Sequence, residues 1–375
     1  MPKVTVLMSV YNREHFVREA IDSILAQTLH DFEFIIINDG STDKTREIIL
    51  SYKDPRIQLV DNSENLGIPK SLNKGLNLAQ GEFVARFDSD DISEPQRLAR
   101  QVAFLDANPK TVLVGSWYEE IDEQGNILQR CTLPCDCTQI RWGLLFYTPF
   151  LNSSAMFRRT VVLQGVGFYN QDFIYAQDHE LWARIASLFP IANLSEYLVK
   201  YRVHPSSITL FHETRQYDLL FQSCKNYMSI LFSHNEFEPL IEKSVFTIVQ
   251  SLLNYYPEPD WRKIEIEKMQ KAIEVILKLN QYFCDRYAIN NIEIKKHQST
   301  LIVELAIKLI AMDVKPESIN QVNKIVKELV MQSYLLDPFI VLNKRFQITL
   351  GRLVIGHLWL TVFKNIRYHQ KRSKA

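Results

Sequence analysis

Residues 81–91 read GEFVARFDSDD, and this stretch decides the fold. Phe83–Phe87 is a short run, apolar except for Arg86, of the kind found in strands that are buried on both faces, and an acidic segment follows it directly. Comparable runs occur at Val4–Val10, Phe32–Ile37 and Ile57–Val60. The first part of the chain therefore contains a series of candidate buried strands.

Segments with helical spacing separate these strands. They are Phe16–Ala26, a stretch from Asp43 to about Tyr52, and one near Pro69–Ala79. Alternating strands and helices predict an α/β fold, with a mostly parallel sheet flanked by helices. Ligands of such sheets bind where the carboxyl ends of the strands open into loops, so the loops after Val10 and Ile37 and the acidic run after Phe87 are the places to look for a site.

The composition sets limits on the class of protein. Of 375 residues, 46% are hydrophobic, which excludes a wholly disordered chain, and 43 basic residues balance 43 acidic ones, which argues against a nucleic-acid partner. Five cysteines indicate a reducing compartment rather than a disulfide framework. The first residues lack the pattern of a signal peptide, and no apolar run reaches the ~18–20 residues of a spanning helix, so a cytoplasmic location is expected.

The chain changes character at about residue 210. Helical patterns such as Trp261–Leu279 and Ile292–Met312 replace the strands, which predicts an α/β domain over 1–212 and a helical domain over 213–337. Residues 338–375 form a basic amphipathic tail with eight Lys and Arg and no acidic residue. Either this tail lies peripherally on the cytoplasmic face of a membrane, or it packs on the domain with its charges in solvent.

The acidic run predicts a metal site. On an extended backbone, side chains two residues apart point the same way, so Asp88 and Asp90 are expected to converge, and carboxylate oxygens suit Mg²⁺ or Mn²⁺. The alternative is helix capping. The segment 93–96, Ser-Glu-Pro-Gln, already offers a cap, an early proline and a reciprocal glutamine for the next helix, which favours the metal.

Three other segments carry candidate functional groups, each with a structural alternative. Asp39 follows the second strand and is suited to accept the imide N–H of uracil, or to form an Asx-turn. Tyr11 and Arg13 follow the first strand. In this position an aromatic ring can stack on a base and an arginine can bind phosphate, but the same residues are also typical of an ordinary surface loop. Asp178 lies in the first turn of a helix, where capping is the default interpretation.

Taken in order, these segments resemble a known family. The ordered set comprises Val10-Tyr11-Asn12, residues 38–43 (NDGSTD), Asn65-Leu66-Gly67 with Asn73-Lys74-Gly75, residues 81–91, and residues 177–182 (QDHELW). It resembles family 2 of the nucleotide-sugar glycosyltransferases, inverting enzymes with the GT-A fold, over about residues 3–210. The resemblance implies that Asp39 contacts the base, that Asp88 and Asp90 serve the diphosphate and the metal, and that Asp178 is the catalytic base.

The same resemblance implies further contacts. The donor would also contact Val10, Tyr11, Asn12, Arg86 and Ser89. His204, in Tyr201-Arg202-Val203-His204, would approach the metal or the diphosphate. The acceptor would contact Asn152, Ser153 and Trp182.

Three positions depart from the family pattern. Gln177 stands where an acidic residue usually precedes the base, Leu72 stands where an arginine is common, and Asn152 stands where related enzymes carry a histidine. Arg86 is positioned to supply the missing positive charge. A zinc site at Cys131, Cys135 and Cys137 is disfavoured, because three thiols in one loop lack a clear fourth ligand.

The resulting expectation is a metal-dependent, inverting transfer of a sugar from a UDP-linked donor to an acceptor hydroxyl. A glycan or lipid-linked acceptor in cell-surface polysaccharide assembly is the expected context. A sugar nucleotidyltransferase and a non-catalytic interaction protein with the same fold are the alternatives.

Overall fold

The structure is a computed structural model that describes residues 1–205, 213–232, 242–252, 266–287, 302 and 324–329. The chain divides into two compact units, Met1–Ile230 and Leu231–Ala375. Within the described residues, no helix has the length and apolarity needed to cross a bilayer.

The first unit is built on one sheet. Its nine described strands are β1 (Val4–Val10), β2 (Phe32–Asn38), β3 (Ile57–Asp61), β4 (Phe83–Arg86), β5 (Ile92–Ser93), β6 (Leu113–Ile121), β7 (Ile127–Cys131), β8 (Met156–Arg158) and β9 (Ile191–Arg202). The spatial order is β3-β2-β1-β4-β8-β6-β9-β5, with β7 added beside β6. Strands β1 to β4 are parallel to one another, β6 and β9 are also parallel, and β5, β7 and β8 pair antiparallel with their neighbours.

Helices connect and cover these strands. They are α1 (Val17–Leu25), α2 (Thr45–Leu50), α3 (Ile68–Leu78), α4 (Arg97–Ala107), α5 (Cys137–Gly143), α6 (Arg159–Gly165), α7 (Gln177–Leu188) and α8 (Glu213–Leu231), with a 3₁₀ turn at Asn152–Ser154. In the second unit, α9 (Lys243–Leu252) packs against α10 (Ile266–Arg286).

The core explains why the first strands are apolar throughout. Strands β1, β2 and β4 are buried along nearly their whole length, since helices lie on both faces of the sheet. Helix α1 contributes one apolar face to this core through Val17, Ala20, Ile21 and Ile24. The predicted α/β architecture, with a largely parallel sheet between helices, is therefore confirmed.

The predicted cap of α4 is wrong. Ser93 belongs to β5 and pairs with Val199 of β9, the helix begins only at Arg97, and Gln96 at its N-cap makes no side-chain cap hydrogen bond. The cause is a strand pairing across more than a hundred residues, which local sequence does not reveal.

The domain limits at 212 and 337 stay predictions. The described structure places most of α8 in the first compact unit. The tail 338–375 and, apart from residue 302, the predicted helix Ile292–Met312 lie outside the described residues.

Candidate active site

The site lies where the carboxyl ends of β1, β2 and β4 meet. These strands are adjacent and parallel, so the loops that follow Val10, Asn38 and Arg86 emerge on one edge of the sheet. Backbone bonds already join the first two loops, because the N–H of Asp39 donates to the carbonyl of Val10 at 2.8 Å. Val10 itself is only 1% exposed, so any donor contact there is restricted to its backbone.

The loop after β1 is tied to the loop after β2. Asn12 adopts a left-handed backbone (φ 51°), its N–H donates to Ser41 Oγ at 3.1 Å, and its Oδ1 accepts from the N–H of Thr42 at 2.8 Å. Asn is one of the residues that tolerates this conformation. Tyr11, just before it, is 42% exposed and presents its ring at the surface.

Asp39 is almost completely buried and organises the neighbouring loop. Its Oδ1 accepts hydrogen bonds from Asn62 Nδ2, the Leu66 N–H and Ser71 Oγ at 2.7 to 2.9 Å, and its Oδ2 accepts from the Gly67 N–H at 2.9 Å. The Asp39 carboxylate is therefore neither a free acceptor nor part of a local Asx-turn. Because a carboxylate oxygen has two lone pairs, Oδ2 retains capacity for one more donor such as a base N–H.

Asp88 is held by a buried arginine. Arg86 is 1% exposed, and its Nη2 donates to Asp88 Oδ1 at 2.5 Å. The other oxygen, Oδ2, accepts from Asn152 Nδ2 at 3.1 Å and from Ser153 Oγ at 2.9 Å. Arg86 therefore supplies positive charge next to the acidic segment, as expected from its position.

Asp90 has different partners. Its Oδ2 accepts from Arg13 Nε and lies at hydrogen-bond distance from His204 Nε2, both at 3.0 Å. Burial would raise the pKa of Asp90, but the hydrogen bond with His204 and the charge of Arg13 outweigh it and lower that pKa. Asp90 is thus ionised at neutral pH.

The third carboxylate, Asp91, is buried. Burial raises its pKa well above the ordinary value, and the charges of Asp90 and Asp88 raise it further. Its Oδ1 accepts the N–H of Arg202, and its Oδ2 meets Ser153 Oγ. A protonated Asp91 can donate to Ser153, which leaves Ser153 to donate to Asp88. The segment then carries two negative charges instead of three.

The three predicted metal ligands do not form one cluster. No group of three His, Cys, Asp or Glu side chains suited to a metal occurs among the residues that the structure describes. Side-chain alternation does not apply to Asp88 and Asp90, since β4 ends at Arg86 and the backbone turns at Ser89 and Asp90 instead of staying extended. Joint metal binding by the two carboxylates stays a prediction.

Asp90 and His204 nevertheless fit a divalent cation. Their Oδ2 and Nε2 atoms are 3.0 Å apart, close to the ~3.0 Å between adjacent ligands of an octahedral ion with bonds of ~2.1 Å. Mg²⁺ in phosphate-binding sites commonly takes one or two protein ligands and completes its shell with phosphate and water. His204 is 3% exposed and its ring packs on Phe16 at 4.7 Å, which holds the imidazole in place.

Asp178 lies in the first turn of helix α7. Ala176, the N-cap, has a left-handed backbone (φ 58°), and Asp178 Oδ1 accepts the N–H of His179 at 2.7 Å. Burial raises the pKa of Asp178 and the charge of Asp88 raises it further, although the His179 N–H and Arg86 act against this. These mutual effects mean that Asp178 and the Asp88–Arg86 pair share one electrostatic environment.

Tyr169 belongs to the same environment and was not predicted. Burial raises the pKa of its phenol, which also responds to the charges of Arg86, Asp178 and Asp88. Its hydroxyl has no hydrogen-bond partner among the described residues. Asn73 holds its backbone, because the amide side chain bonds both the N–H and the carbonyl of Tyr169 at 2.9 and 2.8 Å. Asn73 was part of the sequence pattern, and this is its structural role.

The three residues predicted to contact the acceptor lie in different surroundings. Asn152 contacts Asp88, and Ser153 is buried between Asp88 and Asp91. Trp182 has no exposed surface, because it packs against aromatic rings in the core, so the structure corrects its prediction as an acceptor contact.

Ser89, a predicted donor contact, is 6% exposed. The cysteines at 131, 135 and 137 are free thiols in the described structure.

We expect Asp39→Asn to destabilise the protein in the absence of any ligand. An amide offers only one acceptor oxygen and points an N–H₂ group at existing donors, so the free energy of unfolding should fall by about 1–3 kcal/mol. Denaturant unfolding measures this, with Asp31→Asn, an exposed aspartate before β2, as the control. Equal stability of both variants would contradict the structural role of Asp39.

Comparisons with known proteins identify the family of the chain. Residues 5–165 match the model of glycosyl transferase family 2. An uncharacterized glycosyltransferase of Haemophilus influenzae is 30% identical over 82% of this chain and 95% of its own length. The amylovoran biosynthesis glycosyltransferase AmsE of Erwinia amylovora is 34% identical over 53% of this chain and 75% of its own length.

Among solved structures, Staphylococcus aureus TarS 1-349 in complex with UDP-GlcNAc superposes with a TM-score of 0.54 at 16% identity, over 80% of this chain and 86% of TarS 1-349. This likeness shows that the fold is that of the GT-A glycosyltransferases. Together, the extent of the match to the H. influenzae relative and the family model show that this chain belongs to glycosyltransferase family 2.

Proposed function

We propose that the protein is an inverting glycosyltransferase that moves a sugar from a UDP-linked donor to an acceptor hydroxyl. The observation that carries this proposal is the meeting of the loops after β1, β2 and β4, which brings the pairs Arg13–Asp90 and Arg86–Asp88 to one edge of the sheet. The pKa of Asp178 responds to the charges of Asp88 and Arg86. This response supports an arrangement in which a general base faces the groups that bind the donor diphosphate. Family membership and the UDP-GlcNAc bound by TarS favour a nucleotide sugar over the substrates of a nucleotidyltransferase.

The nucleotide would lie across the loops after β1 and β2. Tyr11 offers an exposed ring for stacking on the base, and Asp39 Oδ2 offers the remaining acceptor for a base N–H. Arg13 offers a guanidinium group to the phosphates, although it is paired with Asp90 in the described structure. Arg86 is buried and paired with Asp88, so it contributes positive charge rather than a direct phosphate contact. Base recognition and phosphate binding thus fall on adjacent loops.

Asp90 and His204 would hold a divalent cation. Bound Mn²⁺ or Mg²⁺ supplies positive charge that stabilises the departing diphosphate. Asp88, with Arg86 beneath it, keeps its carboxylate fixed next to this position.

Asp178 would accept the proton of the acceptor hydroxyl. The hydroxyl attacks the anomeric carbon from the side opposite the diphosphate, the C–O bond to the diphosphate breaks, and the proton passes to a carboxylate oxygen of Asp178. A single displacement inverts the anomeric centre. AmsE is named for amylovoran biosynthesis, and its glycosyltransferase role in a biosynthesis supports a glycan or lipid-linked acceptor here.

We expect Asp178→Asn to lower the rate of UDP release by about 10²–10⁴-fold, because the general base is lost. Affinity for UDP, measured by calorimetry, should stay within about threefold of the wild type. The assay uses water or an identified alcohol as acceptor, and Asp172→Asn, at an exposed neighbouring aspartate, is the matched control. Retained anomeric configuration in the product, seen by proton NMR, would exclude the displacement.

The pH dependence should reveal the raised pKa of Asp178. Because the base must be ionised, kcat/KM should fall on the acid side with an apparent pKa above the ~3.9 of an ordinary aspartate. Initial rates across a pH series measure this limb. A limb at or below the ordinary value would contradict the assignment of Asp178 as base.

Metal dependence is tested at Asp90. We expect EDTA to remove activity from the wild type, added Mn²⁺ to restore it, and Asp90→Ala to lose Mn²⁺-dependent affinity for UDP by tenfold or more. Asp106→Ala, at an exposed aspartate paired only with Lys3, is the control. Full activity in EDTA would contradict the metal site.

A further inference from the structure

Arg13 occupies the carboxylate oxygen that the proposed metal would use. Its Nε donates to Asp90 Oδ2 at 3.0 Å, and the same oxygen lies 3.0 Å from His204 Nε2. The pair is partly buried, with side chains 16% and 18% exposed. A divalent cation bound at this oxygen would meet the positive charge of Arg13 at close range, so the two cations compete for Asp90.

The backbone of Arg13 is fixed while its side chain reaches across to Asp90. The Arg13 N–H donates to Thr45 Oγ1 at 2.8 Å, and the N–H of Glu14 donates to Asp43 Oδ2 at 3.0 Å. Both partners lie on the segment that follows β2. Arg13 Nη1 also donates to the carbonyl of Asn12 at 3.1 Å. An exchange of partners by Arg13 is therefore a rotation of the side chain on an anchored backbone, which breaks its bond with Asp90.

A diphosphate would give Arg13 a second partner. Tyr11, two residues earlier, is exposed where the base of the nucleotide is proposed to stack, so the phosphates would pass close to Arg13. Guanidinium groups bind phosphate through two parallel hydrogen bonds. Arg13 thus stands between an aspartate and the proposed path of the donor.

We propose that Arg13 is an exchangeable counter-ion of Asp90: it neutralises the carboxylate until the donor binds, then passes to the diphosphate while the divalent cation takes its place. This inference rests on the proposed function. It makes metal and nucleotide binding mutually dependent, because a cation that arrives alone must displace Arg13 without offering it another anion. By linkage, the metal strengthens nucleotide binding by the same factor.

The test measures Mn²⁺ binding directly, by electron paramagnetic resonance of free Mn²⁺, with and without UDP. In the wild type, UDP should increase Mn²⁺ affinity by about tenfold or more. Arg13→Gln should bind Mn²⁺ alone about tenfold more tightly than the wild type, and UDP should raise its Mn²⁺ affinity by a smaller factor than in the wild type, because only the ligation of the metal by the diphosphate remains.

Two further variants make the result specific. Arg13→Lys keeps a positive charge without the planar fork, so it should bind Mn²⁺ alone as weakly as the wild type and lose part of the UDP effect. Arg56→Gln should behave as the wild type. Arg56 forms a comparable pair with Asp54, at 2.8 Å and with both side chains 24% exposed, but it lies at the amino end of β3, away from the acidic segment.

The outcomes separate the inference from the function it rests on. Unchanged Mn²⁺ affinity and an unchanged UDP effect in Arg13→Gln would overturn the exchange and leave the proposed function intact. If neither Mn²⁺ nor a nucleoside diphosphate, UDP or GDP, binds to any of the four proteins, the proposed function fails and the exchange fails with it.

Discussion

The buried ion pair between Arg86 and Asp88 is the interaction on which the site depends. A guanidinium that is 1% exposed must be paired, because an unpaired buried charge carries a large desolvation penalty. Arg97, also fully buried, donates to the carbonyl of Arg86 at 2.8 Å, and burial lowers its pKa to about 9, so it remains protonated at neutral pH. These two buried arginines place positive charge next to the acidic segment, residues 88–91.

The positive charges near the acidic segment determine which of its carboxylates are ionised. Asp88 faces Arg86, Asp90 faces Arg13 and His204, and Asp91 is driven towards its neutral form. Three adjacent carboxylates repel one another unless positive charge lies close to them. In the described structure the chain's own cations fill this need, and each carboxylate has a separate environment. Binding of a donor and a metal then becomes an exchange of partners and not the filling of an empty acidic cluster.

Much of the first unit could be predicted from local sequence, and the reason is physical. Strands buried on both faces must be continuously apolar, so Val4–Val10 and Phe32–Ile37 are visible as runs, and the observed strands match them to within one residue. Ser93 was misassigned because its pairing with Val199 comes from a distant strand. The different partners of Asp88 and Asp90 follow a strand that ends at Arg86, and the hydrophobic residue at Phe87 does not reveal that end.

The residue types of the site were visible in the sequence, but their partners were not. Asp39, Asp90 and His204 could be selected as candidates because each carries a chemically useful group. The four hydrogen bonds that Asp39 accepts, the pairing of Arg13 with Asp90 and the unpartnered hydroxyl of Tyr169 arise only when loops from different strands meet. Tyr169 gave no signal beyond that of an ordinary core aromatic.

Anomalous diffraction from crystals containing Mn²⁺ and UDP would test this division of charge most directly. The metal should lie between Asp90 and His204 and contact the diphosphate, while the Asp88 carboxylate stays on Arg86. A metal chelated jointly by Asp88 and Asp90, with Arg86 released, would contradict the separate roles of the two carboxylates.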